Sequence, residues 1–159
     1  MDSGPKRIGE LLAGAIARYV TVRPDGLEVW PGEVVDSAAA RLLSFHAART
    51  LYEQRRPTCR SLDGVRAQTA QRTCAECLFR KRCTPQICVE LWLDGVPARL
   101  LLAFTSLRNF LGFVEGRRRK GEPVEGANIL IAVRNRGHWG EACFLADPLH
   151  DKRPRFSLR

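Results

Sequence analysis

The sequence predicts an α+β fold: a β-rich body with one internal helix, a cysteine-rich insertion and an N-terminal amphipathic helix. Three observations point there. Apolar residues recur at helical spacing over 5–20, five of six cysteines crowd between residues 55 and 88, and alternating apolar runs with turn signals follow from residue 87. At 159 residues, with 45% hydrophobic and 27% charged content, the chain fits one domain able to bury its own core. Residues 1–150 are assigned to that domain and 151–159 to a basic, proline-interrupted tail.

Over 5–20, Ile8, Leu11, Leu12, Ala15, Ile16 and Tyr19 form a helical stripe behind Ser3-Gly4-Pro5, a cap and an early proline. Such a helix either folds onto its own domain or mediates self-association. Arg23-Pro24-Asp25-Gly26 is a turn, residues 27–30 read as a short strand, and Pro31-Gly32 turns again. From Ser37 to about Gln54 the composition is Ala-rich and reads as a helix, although 41–52 also suits a strand. His46, among apolar neighbours there, reads as a core histidine. Residues 57–88 have no clear periodicity before Ile87, and a loop this long needs something to hold it.

The remainder alternates. Ile87, Val89, Leu91 and Leu93 share one strand face and Cys88, Glu90 and Trp92 the other. Asp94-Gly95 signals a hairpin, and residues 99–104 return as a second strand. Thr105 or Ser106 is expected to cap a helix that turns Leu107, Phe110, Leu111 and Val114 inward. Arg117-Arg118-Arg119-Lys120 suits the negative end of that helix dipole, and Gly121 stops it. Ile129, Ile131 and Val133 mark a third strand, and Ala142 with Phe144 a fourth.

Charge narrows the function. Lys and Arg number 26 against 17 acidic residues, the net charge is +9, and all but four of the cations are arginine. A GC-rich genome would explain the preference for Arg over Lys, but not the excess over acid. The excess points to a polyanionic partner, for which the guanidinium offers bidentate phosphate contacts and base stacking. No apolar run approaches the ~18 residues of a membrane span. Residues 8–20 carry Glu10 and Arg18 and make a poor signal peptide, so a cytoplasmic location and no membrane partner are expected.

Disulfides are rare in that compartment, so the cysteines need another role. Their spacing is Cys59-x14-Cys74-x2-Cys77-x5-Cys83-x4-Cys88. A C-x-x-C pair delivers two thiolates to one tetrahedral ion from a tight turn, and two flanking thiolates close a structural zinc site. A redox pair fits less well, because Cys74-Ala75-Glu76-Cys77 lies in an Arg-rich irregular stretch. The expected ligands of one structural Zn2+ are Cys59, Cys74, Cys77 and Cys83. Cys88, already in an alternating strand, is the alternative fourth ligand, and Cys143 reads as a packing residue.

Enzymatic signatures are missing. No H-x-E accompanies a P-C-x-x-C, and no H-E-x-x-H, G-x-x-x-x-G-K-[ST] or G-x-S-x-G occurs. We therefore expect a binding protein and not an enzyme. The loop Arg134-Asn135-Arg136-Gly137-His138-Trp139 combines cations with a stacking face. Trp92 is a second stacking candidate, or else a cover for the insertion or the N-terminal helix. Arg99 and the cluster Arg117, Arg118, Arg119 and Lys120 complete the candidate nucleic-acid contacts, the cluster being equally readable as a solvated helix end.

The order strand, hairpin, strand, helix, strand, strand resembles the β-β-α-β-β portion of an oligonucleotide-binding (OB) fold, with residues 27–35 as the missing first strand. A cysteine-rich insertion before the second strand, and the pattern Cys59-x-Ser61-x-Asp63-Gly64 … Cys74-x-x-Cys77 … Thr105-Ser106-x-x-Asn109, resemble zinc-containing OB-fold single-strand-binding proteins of phages and mobile elements, of the T-even phage type. The resemblance covers about residues 57–146. It implies an OB-like β-barrel and sequence-tolerant binding of single-stranded DNA, or RNA, in replication, recombination or mobile-element transfer, alongside proteins of those processes. One feature departs from that class: the chain shown ends Lys152-Arg153-Pro154-Arg155-Phe156-Ser157-Leu158-Arg159 and carries no acidic partner-recruiting tail. The alternative function is a zinc-containing adaptor or regulator acting through protein contacts.

Overall fold

A computed structural model describes residues 18–67 and 73–148. Among them run nine strands, one α-helix and two short 3-10 turns. The strands are β1 (Arg18–Arg23), β2 (Gly26–Trp30), β3 (Glu33–Val35), β4 (Ser37–Glu53), β5 (Arg56–Ser61), β6 (Thr84–Leu93) and β7 (Val96–Leu102), then, after helix α1 (Phe104–Arg119), β8 (Asn128–Asn135) and β9 (Gly140–Ala146). The architecture is α+β: one mixed sheet in the order β3-β2-β1-β7-β6-β4-β8-β9, with β5 also on β4. All pairings are antiparallel except β1 with β7. The sheet curls without a closing ladder. The end strand β9 meets β1 only as a packing contact, where it begins beside the Arg23 carbonyl.

The backbone of this arrangement is β4. Arg41 faces Trp92 of β6 on one edge and Asn128 of β8 on the other, and further along Thr50 lies between Thr84 and Arg60 of β5. The helix expected over Ser37–Gln54 is thus a 17-residue strand. Alanine favours helix by only tenths of a kcal/mol per residue, and ladders on both edges outweigh that. A register shift between Leu42 and Ser44 lets Leu42 and then Phe45 face the core.

The expected N-terminal helix lies outside the described residues up to Ala17, but its last residues, Arg18, Tyr19 and Val20, belong to β1. The basic tail 151–159 also lies outside them. The stretch 57–88 is less irregular than its sequence suggested, since β5 occupies its start and β6 begins at Thr84. The returning strand is Val96–Leu102, not 99–104, because Phe104 opens α1.

Helix α1 also differs in detail. Its N-cap is Ala103, with no side-chain cap, because Ser106 accepts the Ala142 N–H of β9 at 2.9 Å. Asn109, one turn on, donates to the Ala142 carbonyl at 3.0 Å and to Glu141 Oε1 at 2.8 Å. Phe110 stacks edge-on against both Phe45 and Phe144, each 5.1 Å between ring centres. Leu111, expected inside, is 44% exposed, since the packed face runs through Ser106, Phe110 and Val114. The helix ends as expected: Gly121 takes φ +69°, and the N–H groups of Gly121 and Glu122 reach the Arg118 and Arg117 carbonyls. No helix among the described residues is long and apolar enough to cross a membrane.

Candidate nucleic-acid interface and cysteine cluster

The outward face of β1, β7, β6 and β4 is built by register. Tyr19 lies beside Arg99, Arg99 beside Glu90, and Glu90 beside Ser44, one row across four strands. The next row sets Trp92 between Pro97 and Arg41, and the row on the other side sets Cys88 between Leu101 and His46. Trp92 is 45% exposed, and Tyr19 and Arg41 are also exposed. Arg60 lies over the Tyr19 ring at 5.6 Å. Glu90 accepts from Ser44 at 2.9 Å and pairs with Arg99 at 3.5 Å, so one carboxylate fixes that arginine within the row.

Beyond Cys88 the same face is covered. Ala48, Thr50, Gln86 and Cys88 are buried, and Thr50 donates to Gln86 at 2.5 Å. The chain after β5 returns over this end: Gly64, at φ +72°, sits against the Ala47 carbonyl. Asp63 shapes the turn by accepting the N–H groups of Val65 and Arg66, both at 2.8 Å, and the Ser61 hydroxyl at 3.1 Å. The Arg66 and Val65 amides hold its carboxyl below the usual carboxylate range. The paired Ser61, Asp63 and Gly64 of the sequence pattern are therefore a turn device, just as Ser106 and Asn109 bolt α1 to β9.

That turn leads to the cysteines. Cys74 opens the first 3-10 turn (Cys74–Glu76) and donates its N–H to the Val65 carbonyl, and Cys83 follows the second (Arg80–Arg82). The Cys83 thiol pKa is raised by burial first, then by the neighbouring charges that Cys77, Cys59 and Cys74 would carry. The four expected ligands thus share one neighbourhood. Among the described residues no group of three or more Cys, His, Asp or Glu has the spacing of a formed metal site, and none of the six cysteines is paired in a disulfide. Cys88 lies elsewhere, fully buried in the β6 ladder. Burial pushes its pKa up to about 11, and its charged neighbours are Glu90, Arg99 and Arg60.

The remaining candidates separate. Arg117 is 11% exposed at its side chain, donates to the Pro123 carbonyl at 2.9 Å and pairs with Glu122, so it serves the helix end. Arg119 pairs with Glu115 one turn back, while Arg118 and Lys120 are exposed. These cations lie at the far end of α1 from Phe104. Arg134 near the end of β8, and His138 and Trp139 in the β8–β9 loop, are exposed. Arg136 instead donates to Glu141 at 2.5 Å, and Glu141 is held below the usual carboxylate range by Asn109 first and Arg136 second. Arg136 is therefore a loop brace before it is a phosphate contact.

Sequence reasoning missed Tyr19, Arg41, Arg60, Tyr52 and Phe104. The first four fell in segments read as helix or irregular chain, where a strand face cannot be seen. Phe104 reads from the sequence as the end of a strand. It is 78% exposed and adopts φ +50°.

No known protein family, curated protein or solved structure matches this chain. The functional reading rests on the site itself.

Proposed function

We propose that this protein binds single-stranded DNA in a sequence-tolerant way across the outward face of β1, β7, β6 and β4. The observation that carries the reading is the pair of rows in which exposed Tyr19 and Trp92 alternate with Arg99 and Arg41. Aromatic faces stack bases of any sequence, and the arginines neutralise phosphates on a chain of net charge +9. The acidic member of the rows, Glu90, is already paired and adds little repulsion.

Topology supports an OB-like body. The order β4, β6, β7, α1, β8, β9, with β4 paired to both β6 and β8, follows a five-stranded Greek-key barrel with its helix between the third and fourth strands. On this reading β4 is the first barrel strand, in place of residues 27–35. Strand β1 then fills the gap between β7 and β9, where such a barrel would otherwise close.

We further infer one structural zinc ion held by Cys59, Cys74, Cys77 and Cys83. The fit lies in the donor set: four thiols, in a shared neighbourhood, on a strand and two 3-10 turns with little core of their own. Zinc would supply a cross-link between these elements and no catalysis, and a reducing cytoplasm keeps the thiols available. An equilibrium titration with single-stranded DNA, duplex and RNA at several salt concentrations tests the function. Preferential single-strand binding that weakens steeply with salt is expected, and equal affinity for duplex would refute it. Replication, recombination or mobile-element transfer are the processes that use such binding.

A second reading, an adaptor acting through protein contacts, draws on the exposed Leu78 and Phe79 at the tip between Cys77 and Cys83. A partner retained after nuclease treatment and high salt, and lost in Leu78→Ser, would favour it.

A further inference from the structure

Three exposed aromatics from distant parts of the chain converge on one cleft: Tyr52 near the end of β4, Phe104 at the start of α1 and Trp139 beside β9. The cleft has a volume of ≈ 570 Å³, within the range of small-ligand sites. We propose that it takes a single unstacked nucleobase, held between Phe104 and Trp139, at one end of the bound strand.

Phe104 is the strongest argument. A bulky residue in the left-handed region is strained. The side chain is 78% exposed, so no compensating burial is gained. Residues held in such strained conformations cluster at active sites and ligand clamps. The floor supplies polar groups suited to a base edge. Gln86 has its oxygen occupied by Thr50 and one amide hydrogen directed to Tyr52 Oη at 3.4 Å, leaving the Tyr52 hydroxyl free to donate outward.

Position favours a nucleobase over an apolar side chain of another protein. Gln86 and Leu101 continue the outward faces of β6 and β7 that carry Trp92 and Arg99. From Trp92 to Gln86 is six residues, roughly 20 Å of strand, with the covered stretch at Cys88 between them. An oligonucleotide on the two rows therefore reaches the cleft by passing its end around the Asp63 turn. The β8–β9 connection that brings Trp139 to the cleft also carries the exposed Arg134. The inference rests on the single-stranded DNA reading and adds an end pocket to it.

Abasic scanning separates the two. A (dT)12 series with one abasic site moved along the strand is titrated into the full chain and into Phe104→Ala, Phe104→Leu and Phe104→Tyr. In the unsubstituted protein, an abasic site near one end should weaken binding most, by about 5- to 150-fold. Phe104→Ala and Phe104→Leu should bind intact (dT)12 more weakly by a similar factor and lose that positional sensitivity, while Phe104→Tyr keeps both. If Phe104→Leu retains full affinity and the same profile, stacking at Phe104 is overturned although strand binding stands. If the unsubstituted protein binds no single strand, the broader reading falls and the pocket with it. Should Phe104→Ala fail to fold, Trp139→Leu gives the same decision from the opposite wall.

Discussion

Gly140→Ala tests whether the curled sheet brings β9 against β1. A Cβ at Gly140 would stand 2.0 Å from the Arg23 carbonyl oxygen, 2.6 Å from its carbon and 3.0 Å from Val133 Cγ1. Non-bonded carbon contacts relax near ~3.5 Å, so β1 and β9 would have to part by roughly 1–1.5 Å. Two of the three obstructing atoms are backbone, so no rotamer change relieves them. The expected destabilisation is ~2–3 kcal/mol, the upper part of the overpacking range. For a chain of this size that lowers Tm by about 4–12 °C. Gly112→Ala is the control. It lies on the exposed side of α1, nothing approaches within 4 Å, and alanine should add ~0.5–1 kcal/mol of helix stability. Thermal unfolding followed by circular dichroism reads both. A Gly140→Ala protein that melts within a degree of the unsubstituted chain would refute the contact between β1 and β9.

Metal content separates the cysteines: Cys83→Ser should lose one zinc per chain, Cys88→Ser should keep it, and protein purified without chelator that holds no zinc would refute the assignment. Trp92→Ala should weaken single-strand binding by ~1–3 kcal/mol with an unchanged salt slope. Arg136→Ala should leave that slope nearly intact because Glu141 already holds its guanidinium, whereas Arg41→Ala should reduce it by about one contact, and a larger drop for Arg136 would reverse their roles. Asp63 has a folded pKa below its unfolded value, so its contribution is full above about pH 4 and is lost as pH falls through the folded value. The amide resonances of Val65 and Arg66 should move in that acidic window, and constancy down to pH 2 would show that Asp63 does not hold the turn.

Local signals sufficed where the chemistry is local. Alternation over 87–93, the Asp94-Gly95 hairpin with both residues at positive φ, and the Gly121 stop all depend on neighbours within a few residues. The hairpin from β4 to β5 gave no such signal. Its turn places Gln54 and Arg55 at φ +50° and +65°, a conformation that glycine or asparagine normally announces. Without that mark, an Ala-rich strand and a polar one read as a helix and a loop. The aromatic and cationic rows were hidden for the same reason, since Tyr19, Arg41 and Arg60 become neighbours of Trp92 and Arg99 only through strand register.

By itself the sequence determined the α+β class, the excess of positive charge, and the hairpin and helix of the second half. Each follows from periodicity, composition or short-range spacing. Only the tertiary structure decided that Ser37–Glu53 is a strand, that β1 lies parallel to β7, and that Tyr52, Phe104 and Trp139 surround one cleft. These depend on pairing between segments tens of residues apart, where ladder hydrogen bonds and burial outweigh local propensity.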